Sequence, residues 1–262
     1  MLVTEPSGTM THVVSDGEIL TAVKRNQILA SFQPIVDRDG GIRKAEALLQ
    51  WEHPRLGRLP ARLFIERLLA LAPSRSIVQS LCRYLRGLDW PLHLRLAINL
   101  EVADLLSTDT VDTVVQLADH LPLEVELSER GPYGDTLLTD IQGSLRRLKE
   151  AGCRIALDDF GAGATSLKIL EQIPVDGIKL DRHWIQHAPL CQSTEQITKL
   201  LIAAAKALNL EITAEGIETS EQAIWSYLVG CTFAQGWFFS RELNWDEFQR
   251  QGFTRLKSPA QA

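Results

Sequence analysis

Cysteine is scarce in this sequence, and its placement argues against two common kinds of site. The four cysteines, Cys82, Cys153, Cys191 and Cys231, are scattered, with no Cys-x-x-Cys pair and no histidine at ligand spacing beside them. This pattern does not suit a zinc site or a disulfide framework. We therefore interpret them as free thiols in a reducing compartment.

Long uncharged apolar runs are also lacking. The apolar stretch from Leu200 to Leu210 is interrupted by Lys206, whereas a membrane-spanning helix needs about 20 predominantly apolar residues. The first ten residues have no basic segment followed by an apolar core, as a signal peptide would. We predict a cytoplasmic protein with no membrane insertion.

Positive charge is in short supply, since the net charge is −6. This balance argues against a DNA or RNA duplex, or an anionic membrane, as the main partner. An anionic substrate would need local positive charge, and a bound metal is the obvious source. The contents of hydrophobic residues (45%) and charged residues (23%) are ordinary for a globular protein.

Apolar runs alternate with helical segments about eight times along the 262 residues, which is typical of a TIM-type (β/α)8 barrel of about 250 residues. We place the barrel domain at residues 16–254, between a flexible N-terminal arm (1–15) and a flexible C-terminal tail (255–262). The predicted strands are 28–36 (broken by Pro34), 44–51, 94–99, 123–129, 154–159, 177–181, 210–215 and 231–236. The predicted helices are 16–27, 61–71, 75–88, 110–120, 136–151, 165–172, 193–208, 219–229 and 245–250.

The predicted strands end in polar side chains, which barrel closure would bring to one mouth. These are Asn99, Glu126, the neighbours Asp158 and Asp159, Lys179, Asp181, Glu215 and Gln235. Oxygen ligands of this kind suit magnesium or manganese, and no histidine falls at a strand end to favour zinc. One aspartate of the pair could instead cap the helix that begins near Thr165, and the pair alone leaves that alternative open.

Two chemistries fit such a mouth. Two metal ions can clamp the attacking and leaving oxygens of a phosphodiester and activate a water molecule, with Lys179 orienting it. An enolase-like reaction would use Lys179 as base and the carboxylates on magnesium. That second option requires a separate capping domain, and a barrel already occupies this chain.

Eight short segments occur along the chain in a recognisable order. They are Gln33–Ile35, Glu46–Leu48 (Glu-Ala-Leu), Ile98–Leu100, Glu126–Glu129, Asp158–Gly163, Ile178–Asp181, Ala214–Glu218 and Gln235–Gly236. Together they resemble the motifs of EAL-domain proteins, which hydrolyse the bacterial second messenger cyclic di-GMP. The resemblance covers residues 18–250 and implies an EAL barrel whose first strand runs antiparallel to the others, and typically a homodimer.

The resemblance also implies roles for individual residues. Catalysis would rest on Lys179, Glu215 and Glu46. The ligands of one metal ion would be Glu46, Asn99, Glu126 and Asp158, and those of the second Asp158 and Asp159, with Glu215 nearby. Substrate would be bound by Gln33, Leu48, Gln50, Asp181, Glu218 and Gln235, the last also reaching the water on the metal. The loop Phe160–Ser166 would be anchored by Glu129, Gly161, Gly163 and Ser166. The product would be the linear dinucleotide 5′-phosphoguanylyl-guanosine, with Mg²⁺ or Mn²⁺ as cofactor and Ca²⁺ as inhibitor.

Three departures from the family pattern lie on the substrate side. Gln50 replaces an arginine, Ala164 replaces an aromatic residue, and the segment 64–69 differs from the family's F-I-P-x-A-E. Losing a charge-assisted contact at Gln50 would weaken substrate binding by about 1.5–3 kcal/mol. Two hypotheses follow: an active cyclic di-GMP phosphodiesterase, or a weak or inactive relative that acts as a cyclic di-GMP effector or protein regulator. In either case a regulatory protein partner would act in trans.

Overall fold

The computed structural model describes residues 2–4, 10–12, 14–72, 74–128, 135–162, 166–253 and 255–256. Within these ranges, the side chains of residues 2–12, 135–138 and 166–168 are not described. Glu129, Gly163 and Ala164 therefore lie outside the described residues, as does the side chain of Ser166.

Strands and helices alternate through the described chain. The strands are β1 (Leu2–Thr4), β2 (Met10–His12), β3 (Ile28–Val36), β4 (Ile42–His53), β5 (Gly57–Pro60), β6 (Arg95–Leu100), β7 (Leu123–Ser128), β8 (Arg154–Phe160), β9 (Gly177–Leu180), β10 (Glu211–Ala214) and β11 (Phe233–Ala234). The helices are α1 (Asp16–Lys24), α2 (Ile65–Leu71), α3 (Ser74–Arg86), α4 (Val102–Leu105), α5 (Thr108–Ala118), α6 (Asp135–Glu150), α7 (Ser166–Gln172), α8 (Arg182–His187), α9 (Gln192–Ala207), α10 (Ser220–Val229) and α11 (Trp245–Gln251), with 3-10 turns at Ala61–Leu63 and Ala188–Leu190.

Eight strands close into a barrel in the order β3, β11, β10, β9, β8, β7, β6 and β4, and β4 pairs again with β3. The first strand, β3, is antiparallel to both of its neighbours. The remaining neighbours around the ring pair in parallel. The predicted TIM-type barrel with an antiparallel first strand is confirmed. The carboxyl ends of β4 and of β6 to β11 therefore meet at one mouth.

The hydrophobic core lies between the strands and the surrounding helices. On β6, Leu96 and Ile98 are fully buried and belong to one cluster with Val111 and Val114 of α5. The alternate residues of each strand point into the barrel instead. Because the core occupies the outer faces of the strands, the inward positions are available for polar side chains.

The amino ends of the strands carry a closed network of charges, which we call the basal layer (Lys44, Arg95, Glu124, Arg154 and Glu211). Lys44 Nζ lies 2.8 Å from Glu124 Oε2 and 2.9 Å from Glu211 Oε2. Arg95 Nη1 contacts the same two carboxylates at 3.0 and 2.9 Å, and Arg154 Nη2 lies 3.1 Å from Glu211 Oε1. Each carboxylate thus faces two or more cations.

Pro34 does not break β3, contrary to the prediction. The strand is continuous, with Pro34 opposite Ala45 of β4. Phe32 bonds through its backbone to Leu243 rather than to β4, and Val36 pairs with β11. Residues two apart direct their backbone groups to the same side, so the missing N–H of Pro34 faces away from β4 and no β4 ladder bond is lost.

Other boundaries also differ from the predictions. Helix α1 is capped by Ser15 rather than Asp16 and ends at Lys24. Strand β4 extends to His53 because β5, which was not predicted, pairs with its end. The short helices α4 and α8 were not predicted either. No helix among the described residues has the length and apolar character needed to cross a membrane.

The two segments predicted to be flexible contain some ordered backbone. Strands β1 and β2 pair antiparallel within the predicted arm. At the other end, Leu256 is buried, and its N–H donates to the carbonyl of Gly40, so packing continues two residues into the predicted tail. The flexibility of the arm and tail stays a prediction.

Candidate active site

Four carboxylates surround the ammonium group of Lys179 at the carboxyl mouth of the barrel. Lys179 Nζ lies 2.8 Å from Glu126 Oε2 and 2.8 Å from Glu215 Oε1. Asp158 Oδ1 follows at 3.2 Å and Glu46 Oε2 at 3.3 Å. The lysine is only 2% exposed, so these charges interact in a poorly hydrated interior. We call the mouth cluster the set Glu46, Asn99, Glu126, Asp158, Asp159, Lys179, Glu215 and Gln235.

Amide side chains hold Glu46 in place. Asn99 Nδ2 donates to Glu46 Oε1 at 2.7 Å, and Gln235 Nε2 donates to Glu46 Oε2 at the same distance. Gln235 Nε2 also donates to Gln33 Oε1 at 2.9 Å, and Gln33 in turn donates to the carbonyl of Ser240. Asn99 on β6 and Gln235, which directly follows β11, therefore hold the carboxylate of Glu46 on β4 from two sides.

A backbone irregularity brings the two adjacent aspartates to the same mouth. Strict alternation along β8 would send Asp158 inward and Asp159 towards the helices. The pairing of β8 with β9 instead shifts register between Leu157 and Phe160, and Asp159 has a φ of 54°. This bulge returns the Asp159 carboxylate to the mouth and leaves Phe160 fully buried. A positive φ at a non-glycine residue is costly and typical of functional sites.

Gly161 follows the bulge because no side chain fits there. Its φ is 89°, and an added Cβ would collide with the indole nitrogen of Trp184 on α8. The indole thus supports the turn that leaves β8. Of the two glycines assigned to anchoring this loop, Gly161 thus lies at the turn that leaves β8, and Gly163 lies outside the described residues.

Two opposing influences set the pKa values of the glutamates in the mouth cluster: burial raises them, and the single cation Lys179 lowers them. Burial raises the pKa of Glu215 to about 8, despite the attraction of Lys179. Burial likewise raises the pKa of Glu126 well above its ordinary value. For Glu46, burial is outweighed by Lys179 and by the hydrogen bonds from Gln235 and Asn99, and its pKa is lowered. Burial opposes the charge of Lys179, but the surrounding carboxylates raise its pKa well above the usual range.

The donor set fits an oxygen-preferring divalent cation. One oxygen from each of Asp158, Asp159 and Glu215 lies within 4.8 Å of the others. The buried atoms Glu126 Oε1 and Gln235 Oε1 accept no hydrogen bond, so further oxygen donors remain in the cluster. Carboxylate and amide oxygens without histidine or cysteine are the ligands of Mg²⁺ and Mn²⁺.

Two cavities open beside the mouth cluster and share Leu48 and Asp159. The polar cavity, of about 270 Å³, is lined by Gln33, Glu46, Leu48, Asp159, Asp181, Arg182, Glu215, Gly216, Glu218, Gln235, Gly236 and Trp237. The apolar cavity, of about 330 Å³, has Ile65, Leu69, Ile77 and Leu81 from α2 and α3 in its wall, together with Asn99 and Asp158.

Most residues predicted to bind substrate lie on the polar cavity, but Gln50 does not. Gln50 is buried in β4 opposite Pro60 of β5, and it is not among the residues that line either cavity. Strand β5, which was not predicted, pairs with β4 at this position. Arg182 and Trp237 also line the polar cavity, but they were not predicted to bind substrate, although each directly follows a predicted motif. Asp181 also caps α8, because its Oδ1 accepts the N–H of His183 at 2.7 Å.

Comparison with known proteins decides the family. A family model described as EAL domain matches residues 16–242. The chain belongs to the EAL domain family. It is 33% identical over 240 residues to "Cyclic di-GMP phosphodiesterase NbdA" of Pseudomonas aeruginosa, with 86% of this chain and 30% of NbdA covered. It is 31% identical over 247 residues to "Cyclic di-GMP phosphodiesterase RocR" of the same organism, with 87% and 61% covered.

A solved EAL structure supports the same grouping. The structure described as "PaMucR Phosphodiesterase, c-di-GMP complex" is 27% identical, with a TM-score of 0.74, and the match covers 88% of this chain and 98% of that one. The EAL chain thus spans less than two thirds of the length of NbdA and of RocR, whereas it corresponds to nearly the whole of the solved domain.

Proposed function

We propose that this EAL domain hydrolyses cyclic di-GMP to the linear dinucleotide 5′-phosphoguanylyl-guanosine, as a cyclic-guanylate-specific phosphodiesterase. The observation that carries the proposal is the buried Lys179 among four carboxylates, at the edge of a cavity of about 270 Å³. The names of NbdA and RocR, and the nucleotide bound to the PaMucR domain, support the choice of substrate.

The chain needs added positive charge to accept this substrate. Lys179 is the only cation in the mouth cluster, and a phosphodiester would bring further negative charge. Glu46, Asn99, Glu126 and Asp158 would hold one Mg²⁺ or Mn²⁺, and Asp158 and Asp159 would hold a second, with Glu215 nearby. Such ions would supply Lewis acidity to the attacking water and offset the charge of the phosphate. Ca²⁺ would inhibit, because it tolerates looser coordination.

The residues of the chain have separate tasks in this scheme. Lys179, whose pKa in the metal-free site is raised by its carboxylate neighbours, would position the attacking water through its N–H groups. Gln33, Asp181, Glu218 and Gln235 present polar groups around the cavity for the nucleotide, and the Trp237 ring, 56% exposed, offers an apolar face.

The first test is hydrolysis by the purified chain with Mg²⁺, Mn²⁺ and Ca²⁺ in parallel, beside Lys179→Ala. We expect the linear dinucleotide with Mg²⁺ and Mn²⁺, no product with Ca²⁺, and no product from the variant. A Lys179→Ala protein with near-normal turnover would overturn the assigned role of the lysine, and metal-independent turnover would overturn the proposed cofactor.

A second function is favoured by the glutamine at position 50. In this second function the domain has weak or no turnover and acts as an effector that binds cyclic di-GMP, or as a regulator that contacts another protein. Gln50→Arg tests this: if Gln50 weakens substrate binding, the variant should bind nucleotide about tenfold to a hundredfold more tightly. Gln50 is buried and lines neither cavity, so unchanged affinity would show that this position does not face the nucleotide.

Assembly and location form part of the same proposal. We propose a cytoplasmic homodimer whose activity a protein partner regulates in trans. Sedimentation velocity over a range of concentrations tests the dimer, since a single monomeric species throughout would exclude it.

A further inference from the structure

The indole of Trp184 lies against the turn that carries Asp159, and the proposed hydrolysis gives this side chain no task. Trp184 belongs to α8, which follows β9, whereas the turn follows β8. A Cβ added to Gly161 would overlap the indole nitrogen and would lie only 3.0 Å from Leu201 Cδ1 of α9. The backbone at Gly161 is therefore packed against side chains of two helices that come later in the chain.

The turn adopts backbone dihedrals that need support from the surrounding structure. Asp159 has a φ of 54° and Gly161 a φ of 89°. Within the turn, the N–H of Ala162 donates to the carbonyl of Asp159 at 3.1 Å. A left-handed conformation at a non-glycine residue persists only where the surrounding structure imposes it. The indole against Gly161 is such a constraint, and it acts two residues from the Asp159 carboxylate.

Helix α8 is held in place by contacts that do not involve the turn. Ile185, the residue after Trp184, is fully buried in the hydrophobic core. Gln186 donates from Nε2 to Glu218 Oε1 at 3.3 Å, and the Asp181 side chain caps the first turn of the helix. The indole therefore offers the turn a fixed surface.

The indole supports the turn by packing rather than by hydrogen bonding. Its nitrogen is buried and has no hydrogen-bond partner among the residues that the structure describes. A phenylalanine at position 184 would keep an aromatic ring on α8 and would lose no hydrogen bond. A leucine has a shorter side chain and would leave a gap beside Gly161. The two substitutions therefore separate packing against the turn from other effects of the indole.

We propose that Trp184 is a positioning residue for the metal site: by fixing the turn at Gly161, the indole holds the Asp159 carboxylate where it can share a divalent ion with Asp158. This inference rests on the proposed function, because the ion is the one that the phosphodiesterase would use. Mg²⁺ demands nearly ideal octahedral geometry, whereas Ca²⁺ accepts irregular coordination. The indole therefore favours Mg²⁺ over Ca²⁺, and its loss weakens Mg²⁺ binding more than Ca²⁺ binding.

The test is calorimetric titration with Mg²⁺ and with Ca²⁺ of the unmodified chain and of Trp184→Leu. We expect Trp184→Leu to bind Mg²⁺ about tenfold to a hundredfold more weakly, as is typical when the support of a metal ligand is removed, with a smaller loss for Ca²⁺. Trp184→Phe should recover most of the Mg²⁺ affinity.

Trp225→Leu is the matched control. Trp225 is half-buried on α10 and packs against the hydrophobic core, and it lines neither cavity beside the mouth cluster. Its replacement removes the same side-chain atoms from another helix and should change neither the Mg²⁺ affinity nor the Ca²⁺ affinity.

Unchanged Mg²⁺ affinity in Trp184→Leu, or equal losses for the two ions, would overturn this proposal and leave the proposed function intact. An absence of Mg²⁺ binding by the unmodified chain would overturn both. Circular dichroism shows whether each variant folds. If Trp184→Leu does not fold, Gly161→Ala decides, because its added Cβ displaces the turn from the other side of the contact. It should cause the same selective loss of Mg²⁺ affinity, and unchanged affinity there would also overturn the proposal.

Discussion

The barrel contains two charged layers at its opposite ends, and they differ in charge balance rather than in construction. Both use inward positions of the same strands, as Lys44 and Glu46 on β4 or Glu124 and Glu126 on β7 demonstrate. The basal layer sets three cations against two carboxylates, whereas the mouth cluster sets Lys179 against a larger number of acids.

Two glutamates at opposite ends of β10 show this difference in their pKa values. Burial opposes the charge of Glu211, but Lys44, Arg95 and Arg154 outweigh it and lower the pKa. Four residues on, burial dominates at Glu215 and raises the pKa to about 8. In the basal layer every carboxylate is offset by cations of the protein, so this layer stabilises the fold. In the mouth cluster the buried carboxylates outnumber the single lysine, so this end of the barrel requires protons or added cations. That requirement is what we expect of the functional end.

The largest effect is expected from Asp159→Asn at the mouth. Removing one carboxylate from the three-oxygen group should lower turnover by about 1000-fold, equivalent to ~4 kcal/mol of transition-state stabilisation, with the fold intact. Steady-state hydrolysis measures the turnover, and circular dichroism shows whether the fold is intact. A variant with near-normal activity would contradict the two-metal assignment.

The next largest effect is expected in the basal layer, and on stability rather than chemistry. Lys44→Met leaves Glu124 and Glu211 with fewer cations in a buried site, which should cost about 3–5 kcal/mol of unfolding free energy. Urea denaturation measures it. Lys199→Met is the control, because the exposed pair of Lys199 with Glu195 should be worth under about 0.5 kcal/mol. Equal losses in the two variants would refute the distinction.

Mg²⁺ should stabilise the chain through the mouth cluster. An ion that binds only the folded state at 100 times its Kd adds about 2.7 kcal/mol. We expect a chelator to lower the melting temperature of the unmodified chain, and to have little effect on Asp159→Asn. A chelator effect of the same size in both proteins would place the responsible ion elsewhere.

The last prediction concerns the pH dependence that Glu215 gives to the stability of the metal-free chain. Its pKa of about 8 lies above the ordinary value of 4.5, so between these pH values the unfolded chain is ionised while the folded chain retains the proton. Stability therefore falls as pH rises from about 5 to 8, by less than about 1.4 kcal/mol per pH unit. Denaturation of Glu215→Gln in chelator should lack this slope, and an identical slope would rule out Glu215 as its source.

Sequence patterns were sufficient for the barrel and the polar strand ends, and the family resemblance implied the antiparallel first strand. Period-two alternation determines which side chains point inward, and strand order brings the carboxyl ends together. The same alternation was present at Lys44, Glu124 and Arg154, but it could not reveal the basal layer, because pairing of those charges depends on register between strands far apart in the chain.

The sequence by itself determined the family, the strand-end acids and the demand for added positive charge. Tertiary structure decided where individual side chains lie. Examples are the bulge that returns Asp159 to the mouth, the strand β5 that pairs beside Gln50, and the helix that stacks His183 on His187. These features depend on backbone dihedrals and on neighbours distant in sequence. A local pattern specifies the face on which a residue lies, whereas the packed fold specifies what that face meets.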